Sequence, residues 1–328
     1  LEESDAYMIK EAIQNFPKQF EVELEVGNKE EWKQHERFCV VGMGGSHLSA
    51  DLLKRLRPSL DLIIHEDYGL PELPEGQWEH RLVILSSYSG NTEEVLDAFS
   101  KARERDLPVA VLSIGGKLLE LARKHDVPYV EIPNTGILPR MATGFMLLAL
   151  LKLIADEELY EKAKVLARQL KPAELEEEGS ALAKRLFGKV PVIYASRKNV
   201  SVAYNWKIKF NESSKIPAFI NVFPELNHNE MTGFDVAEST RSLSERTAFI
   251  FLRDDNDHSQ IKKRMDVLRN LYAKRGLQVE EIHFQGSSDL YRVFSSLLLA
   301  DWTAYYTSQL YGTEPEQVPM VEEFKKLI

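Results

Sequence analysis

Residues 38–46 read FCVVGMGGS, a short apolar run that passes directly into a glycine-rich turn. Apolar residues then recur with helical spacing from Leu48 to Leu56. A short buried run followed by a glycine-rich turn and a helix is typical of a parallel strand and its crossover connection. This stretch therefore predicts the beginning of an α/β fold.

The same alternation continues along the whole chain. Further apolar runs of strand length lie at 62–64, 82–86, 109–113, 129–132, 190–195, 218–222, 247–252 and 280–284. Helical periodicity is found at 93–105, 118–124, 141–154, 158–169, 174–185, 200–210, 257–274, 291–310 and 318–328. Strands alternating with helices predict mostly parallel sheets that are covered by helices on both faces. We expect an α/β protein with two tandem lobes, 1–155 and 156–328, each a mostly parallel sheet flanked by helices.

Composition limits the classes of function. The 328 residues carry a net charge of -10, which argues against nucleic acid as a partner, because phosphate backbones require a clustered basic surface. No apolar run approaches the ~20 residues of a membrane span, and residues 1–10 are too polar and acidic for a signal peptide. The single cysteine, Cys39, lies in an apolar run, so we expect a buried structural thiol. These features predict a cytoplasmic protein that uses no membrane.

Two strand-to-helix turns contain the residue types that bind phosphate. Residues 42–46 read GMGGS and residues 86–92 read SSYSGNT. Glycines let backbone N–H groups approach an anion, hydroxyls donate further hydrogen bonds, and the following helix N-terminus adds partial positive charge. Neither loop contains a lysine, which suits a phosphate that is held rather than transferred. The candidate phosphate-binding residues are Gly45, Ser46, Ser87, Ser89 and Thr92.

Two other interpretations of these loops remain open at this point. Either loop alone could be an ordinary turn whose serine or threonine caps a helix. The first loop also begins like the G-x-G-x-x-G motif of dinucleotide-binding folds, with Glu66 ending the next strand. However, His47 occupies the third glycine position and would hinder close packing of the helix, and the second loop has no role in dinucleotide binding.

Several segments together resemble a known family. The GMGGS turn followed by SYSGNTEE at 87–94 is similar to the sugar isomerase (SIS) domain, in which the second loop binds a sugar phosphate. The segments NESSKIPAF at 211–219 and PELNHNE at 224–230 resemble the signature segments of bifunctional phosphoglucose/phosphomannose isomerases. Shorter similarities lie at 16–19, 115–118, 139–140 and 205–207. The resemblance implies two SIS-type lobes that interconvert fructose 6-phosphate with glucose 6-phosphate and mannose 6-phosphate through a cis-enediol.

The resemblance also implies roles for individual residues. Glu212 occupies the position of the family's base, which moves a proton between C2 and C1. His228 matches the histidine that opens the sugar ring, and it would act in the pocket of the neighbouring subunit of a homodimer. Arg140 would stabilise the negative charge of the enediolate. Lys325 matches a lysine of the C-terminal helix, with Lys326 as the alternative.

The sequence leaves some alternatives open. Without the resemblance, Glu212 would be interpreted as a solvated or ion-paired residue at a helix end. We expect no cofactor and no metal, because the cluster of His228 with Glu225 and Glu230 lacks a second histidine. An amino-sugar phosphate isomerase would share the phosphate loops. A non-catalytic sugar-phosphate sensor would usually add a basic helix-turn-helix, which the sequence does not contain.

Overall fold

The computed structural model describes residues 9–74, 76–286 and 288–327. The described chain forms two compact units, one of residues 15–169 and one of residues 170–327 together with 9–14. Residues 9–14 belong to helix α1 (Ile9–Asn15). The predicted domain limits, 1–155 and 156–328, stay a prediction, and residues 1–8 and 328 within them lie outside the described residues.

The first unit contains a six-stranded sheet whose members are parallel except for β1. Its strands are β1 (Val26–Gly27), β2 (Arg37–Gly42), β3 (Asp61–His65), β4 (Arg81–Ser86), β5 (Val109–Ser113) and β6 (Tyr129–Glu131), in the order β1-β6-β5-β4-β2-β3. Its helices are α2 (Leu48–Leu56), α3 (Glu93–Glu104), α4 (Gly116–Lys124), α5 (Thr143–Ile154), α6 (Glu157–Lys164) and α7 (Leu166–Gln169). The strand order reverses between β2 and β4, since β3 lies on the far side of β2.

Helices cover both faces of this sheet. On one face, Val41, Val83 and Val111 of the central strands pack with Phe99 of α3 and Leu118 of α4. The other face packs on α5, whose residues are all buried except Lys152. A helix that is apolar all round belongs in a protein interior, so the apolar run at 141–154 forms a central layer of the unit.

The second unit repeats this architecture with a four-stranded parallel sheet. Its strands are β7 (Val190–Ser196), β8 (Phe219–Phe223), β9 (Thr247–Arg253) and β10 (Gln278–His283), in the order β10-β9-β7-β8. Its further helices are α8 (Pro172–Leu186), α9 (Val200–Lys209), α10 (Arg241–Ser244), α11 (Ser259–Lys274), α12 (Asp289–Tyr311) and α13 (Pro319–Lys325). The predicted fold class, α/β with parallel sheets flanked by helices, is confirmed.

The core of the second unit is aromatic on one face of the sheet. Tyr194, Phe223 and Phe249 pack with Tyr272 of α11. On the other face, α12 packs against α8 and α9, and the buried indole of Trp302 donates a hydrogen bond to the backbone oxygen of Pro172. Among the described residues of both units, no helix combines the length and the apolar character that crossing a bilayer requires.

The buried thiol in β2 gives a first prediction. Burial raises the pKa of Cys39 to about 12, and only the thiolate form of cysteine reacts readily. At pH 8 the native protein should react with Ellman's reagent no faster than it unfolds, whereas the denatured protein should release one equivalent of thionitrobenzoate at once. Rapid labelling of the native protein would contradict the buried position of this strand.

Candidate functional site

The two predicted phosphate loops of the first unit lie side by side at one edge of the sheet. The first follows β2 and contains a short 3-10 turn, Gly44–Ser46. The second follows β4 and leads into α3 at Glu93. Because β2 and β4 are parallel neighbours at the point where the strand order reverses, the loops flank the crevice in which open α/β sheets bind ligands.

Hydrogen bonds at Ser46 join the two loops. The hydroxyl of Ser86 donates to the backbone oxygen of Ser46 at 2.6 Å. The backbone N–H of Tyr88 donates to the hydroxyl oxygen of Ser46 at 2.9 Å. Ser46 is buried, so these bonds are shielded from competing water. The two loops are therefore held as one rigid structure.

The second loop is closed by its own hydroxyl groups. The Ser87 hydroxyl accepts a hydrogen bond from the backbone N–H of Gly90 at 3.0 Å and lies 2.8 Å from the Thr92 hydroxyl oxygen. Ser87 is buried, Thr92 is half-buried and Ser89 is exposed. Ser87 thus shapes the loop, while Ser89 and Thr92 remain accessible to solvent. The binding of phosphate by these residues stays a prediction.

Two glycines allow the close approach of backbone segments at these loops. A Cβ atom at Gly90 would lie 1.9 Å from the backbone oxygen of Gly115, and Gly90 has a φ of +72°. A Cβ atom at Gly45 would lie 2.8 Å from the carbonyl carbon of Pro139 and 2.9 Å from the nitrogen of Arg140. All three distances are far below van der Waals contact, so a side chain at Gly90 would displace the segment of Gly115, and one at Gly45 would displace the segment of Pro139 and Arg140.

Arg140 lies in the same part of the first unit. Its backbone passes against Gly45, in a 3-10 turn, Pro139–Met141, that precedes α5. The residue is only 2% exposed, so its guanidinium lies inside the protein and not on its surface. The structure therefore brings the predicted arginine next to the first phosphate loop, although its catalytic role stays a prediction.

His47 belongs to a polar cluster that the sequence motifs did not predict. Its buried ring contacts two carboxylates, Asp51 at 2.7 Å through Nδ1 and Glu66 at 3.4 Å through Nε2. The i, i+4 spacing of His47 and Asp51 on one helix is visible in the sequence, whereas the contact with Glu66 of another segment is not. These contacts fix the imidazole at the base of the first loop.

The corresponding crevice of the second unit is filled by its own charged groups. It lies beyond β7 and β9, where the order of that sheet reverses. Buried Asp254 accepts hydrogen bonds from Lys198 at 3.0 Å and from Asn199 at 3.2 Å. Burial alone would raise the pKa of Asp254, but these bonds and one from the backbone N–H of Asn256 hold the pKa below its usual value. An internal carboxylate therefore occupies this crevice, which disfavours a second phosphate there.

Glu212 lies in a single π-helical turn, Phe210–Ser214, that follows α9. The turn is held by hydrogen bonds to residues of the C-terminal part of the unit. The Ser214 hydroxyl donates to the backbone oxygen of Ala304 at 2.8 Å, and Thr313 donates to the backbone oxygen of Ser214 at 3.1 Å. Glu212 is half-buried. Isolated π-helical turns are frequent at functional sites, and this one fixes the backbone that carries the predicted base.

A buried ion pair lies next to this turn in the interior of the second unit. The ammonium of Lys209, the last residue of α9, lies 2.5 Å from a carboxylate oxygen of Asp301 on α12. Both side chains are 3% exposed. The pair joins the two helices on either side of the turn that contains Glu212. Sequence reasoning missed it, because the partners are separated by 92 positions.

His228 and Lys325 lie at exposed positions of the second unit. His228 ends a 3-10 turn, Glu225–His228, that follows β8. Lys325 is the last residue of α13 and forms an ion pair with Glu322 at 2.8 Å. The described residues contain no group of three or more histidine, cysteine, aspartate or glutamate side chains placed to bind a metal ion.

Comparison with known proteins identifies similar sequences over nearly the whole chain. Residues 175–328 match the family model described as bacterial phospho-glucose isomerase C-terminal SIS domain. A bifunctional phosphoglucose/phosphomannose isomerase of Caldicellulosiruptor bescii is 33% identical over 96% of this chain and 97% of its own length. One from Aquifex aeolicus is 32% identical over 88% of both chains.

Solved structures show the same fold at lower identity. The structure of a glucosamine-6-phosphate deaminase from Thermotoga maritima covers 95% of this chain and 96% of its own, with a TM-score of 0.69 and 17% identity. At this identity the similarity concerns the fold alone.

The buried ion pair gives a prediction about stability. Lys209→Met removes the cation opposite the buried carboxylate of Asp301 and should lower the free energy of unfolding by about 3–5 kcal/mol. The double variant Lys209→Met/Asp301→Leu should recover much of this loss, because no buried charge remains. Chemical denaturation measures both, with the exposed Lys184→Met on α8 as the matched control. A single variant as stable as that control would contradict the importance of the pair.

Proposed function

The chain belongs to the bifunctional phosphoglucose/phosphomannose isomerase family, and we propose that it interconverts fructose 6-phosphate with glucose 6-phosphate and with mannose 6-phosphate. The observation that carries this proposal is the 33% identity to such an enzyme over 96% of the chain. The joined phosphate loops of the first unit support it independently, because they suit a sugar phosphate. This substrate class and the buried thiol of Cys39 also favour a cytoplasmic location.

We propose that the loops after β2 and β4 bind the phosphate of the sugar. The accessible donors are the hydroxyls of Ser89 and Thr92 and the backbone N–H groups near Gly45, with the N-terminus of α3 adding partial positive charge. Ser46 and Ser87 hold the loops in shape through the bonds described above. Neutral donors bind the phosphate without activating its transfer, so the anion serves as a fixed handle while reaction occurs at C1 and C2.

In the proposed reaction, His228 opens the ring by moving a proton between O5 and O1 of the sugar. The carboxylate of Glu212 then removes the C2 proton of the aldose and returns a proton to C1, so that the carbonyl moves from C1 to C2. The guanidinium of Arg140 stabilises the negative charge on the enediolate oxygens. Lys325 would assist ring opening. No cofactor takes part in this proton transfer.

One cis-enediol accounts for both aldose products. Glucose and mannose 6-phosphates differ only in configuration at C2, and this carbon is planar in the enediol. Returning the proton to opposite faces of C2 gives the two epimers. A single base can therefore serve both reactions if the bond between C2 and C3 rotates while the phosphate stays bound.

We further propose a homodimer in which His228 acts in the partner's site. His228 is exposed in the single chain. Helix α13 and the turn after it also expose apolar side chains at helical spacing, with Met320 81%, Phe324 60% and Leu327 78% exposed. Exposed groups of large apolar residues are typical of protein interfaces. A second copy of the chain, related by two-fold symmetry, would cover such residues in both subunits.

Replacement of the proposed base tests the mechanism. Glu212→Gln removes the proton acceptor but keeps the shape of the side chain, so kcat for fructose 6-phosphate should fall by roughly 10²- to 10⁴-fold. Binding of a phosphorylated sugar acid, measured by calorimetry, should be unchanged. The exposed Glu178→Gln on α8 is the matched control. Turnover of Glu212→Gln at the control's rate would refute the assignment.

Mixed dimers test the proposed sharing of His228. Glu212→Gln and His228→Ala homodimers should both be nearly inactive. After unfolding and joint refolding, half of the dimers are mixed and each contains one site with both residues, so about a quarter of the wild-type activity should return in a two-fold dimer. Mixtures that stay inactive although mixed dimers are isolated would show that His228 acts within its own chain.

A further inference from the structure

One glutamate joins the segment that contains His228 to the sheet of the second unit by polar contacts, in addition to the apolar contact of buried Leu226. Glu230 begins a 3-10 turn, Glu230–Phe234, two residues after His228. The hydroxyl of Tyr194, on β7, donates to one of its carboxylate oxygens. The side-chain amide of Asn221, on β8, donates to the other. Both oxygens of Glu230 are thus held by neighbouring strands.

The two donors occupy matched positions in the sheet. Tyr194 and Asn221 are direct register partners of the parallel strands β7 and β8, so their side chains project to the same face. The carboxylate of Glu230 bridges them. This arrangement defines the position of the turn with respect to both strands, which a single hydrogen bond would not.

Each donor is itself held in place. The ring of Tyr194 is fully buried and packs on Phe223, Phe249 and Phe251 at centroid distances of 6.0, 5.3 and 5.6 Å. The side-chain oxygen of Asn221 accepts a bond from the backbone N–H of Val222 at 2.7 Å, which directs its NH₂ group to Glu230. Burial raises the pKa of Tyr194 far above its usual value, so the phenol remains a hydrogen-bond donor.

We infer that Glu230 is a positioning residue, which holds the turn of His228 against β7 and β8 so that the imidazole is presented in one orientation. This inference rests on the function proposed above for His228. Glu230 itself touches no reacting atom. His228 itself is exposed and its turn is packed on the core through buried Leu226, so the carboxylate bridge adds a directional polar contact two residues after the histidine. Misplacement of a catalytic group by about 1 Å can cost on the order of 10²-fold in rate.

Two replacements of Glu230 test whether its hydrogen bonds hold the segment of His228 in place. Glu230→Ala leaves the buried Tyr194 hydroxyl and the half-buried Asn221 amide without their acceptor. The segment of His228 should therefore lose its fixed position, and kcat for fructose 6-phosphate should fall by about 10- to 100-fold with little change in KM. Glu230→Gln should recover most of the rate, because its oxygen can accept from Asn221 while its NH₂ donates to the Tyr194 hydroxyl. The exposed Glu238→Ala, from the same segment, is the matched control.

A double-mutant cycle with His228→Ala decides whether Glu230 acts through the histidine. In that background, Glu230→Ala should cause no further loss of kcat. Equal losses in both backgrounds, equal losses for the alanine and glutamine variants, or undiminished kcat in Glu230→Ala would each overturn the inference. If Glu230→Ala does not fold, Asn221→Ala removes one of the two donors and enters the same cycle.

Failure of the proposed function has a different signature. A His228→Ala enzyme with wild-type kcat would contradict the role of the histidine, whatever Glu230 does. Amide hydrogen exchange of residues 225–234 then tests the bridge alone. Faster exchange in Glu230→Ala than in Glu230→Gln would support it, and equal exchange in both would overturn it.

Discussion

The hydrogen bonds at Ser46 join two loops that the order of the strands brings to one edge of the first sheet. Strand β3 lies on one side of β2, and β4, the next strand in the chain, lies on the other side. This reversal leaves a crevice between two strand ends, and parallel strands direct both following helix N-termini toward it. The glycines at 45 and 90 then let neighbouring backbone approach. The proposed phosphate site depends on this geometry rather than on any charged side chain of the loops.

The second unit uses the same architecture for other chemistry. Its equivalent crevice is occupied by Asp254 with Lys198 and Asn199, so the internal carboxylate takes the place that an anionic ligand would need. The candidate catalytic residues of this unit lie elsewhere, on the π-helical turn of Glu212 and the 3-10 turn of His228. The buried Lys209–Asp301 pair lies beside the first turn, and the Tyr194–Glu230–Asn221 bridge follows the second turn by two residues. In the function we propose, the first unit binds the phosphate and the second unit supplies the side chains that transfer protons.

Local sequence patterns were sufficient for the longer strands and helices and for the two loops, because apolar periodicity and glycine-rich turns are properties of neighbouring residues. The short helices α1 and α10 were not predicted. The antiparallel strand β1, of only two residues, has no such pattern and was missed. The resemblance of the motifs to phosphoglucose/phosphomannose isomerases was confirmed by the similarity over nearly the whole chain. The supporting polar pairs could not be predicted, since Lys209 and Asp301, or Tyr194 and Glu230, meet only after the sheet and helices have packed. Their local sequence places Tyr194 and Asp301 in apolar elements but does not identify their partners.

In the proposed mechanism one carboxylate, Glu212, moves the proton for both epimers. This is tested by offering fructose 6-phosphate to the enzyme in D₂O and following both aldose products by NMR. Glucose 6-phosphate and mannose 6-phosphate should both form, part of each product should carry deuterium at C2, and Glu212→Gln should abolish both together. Loss of only one aldose in that variant, or formation of both at undiminished rates, would show that Glu212 is not the shared base.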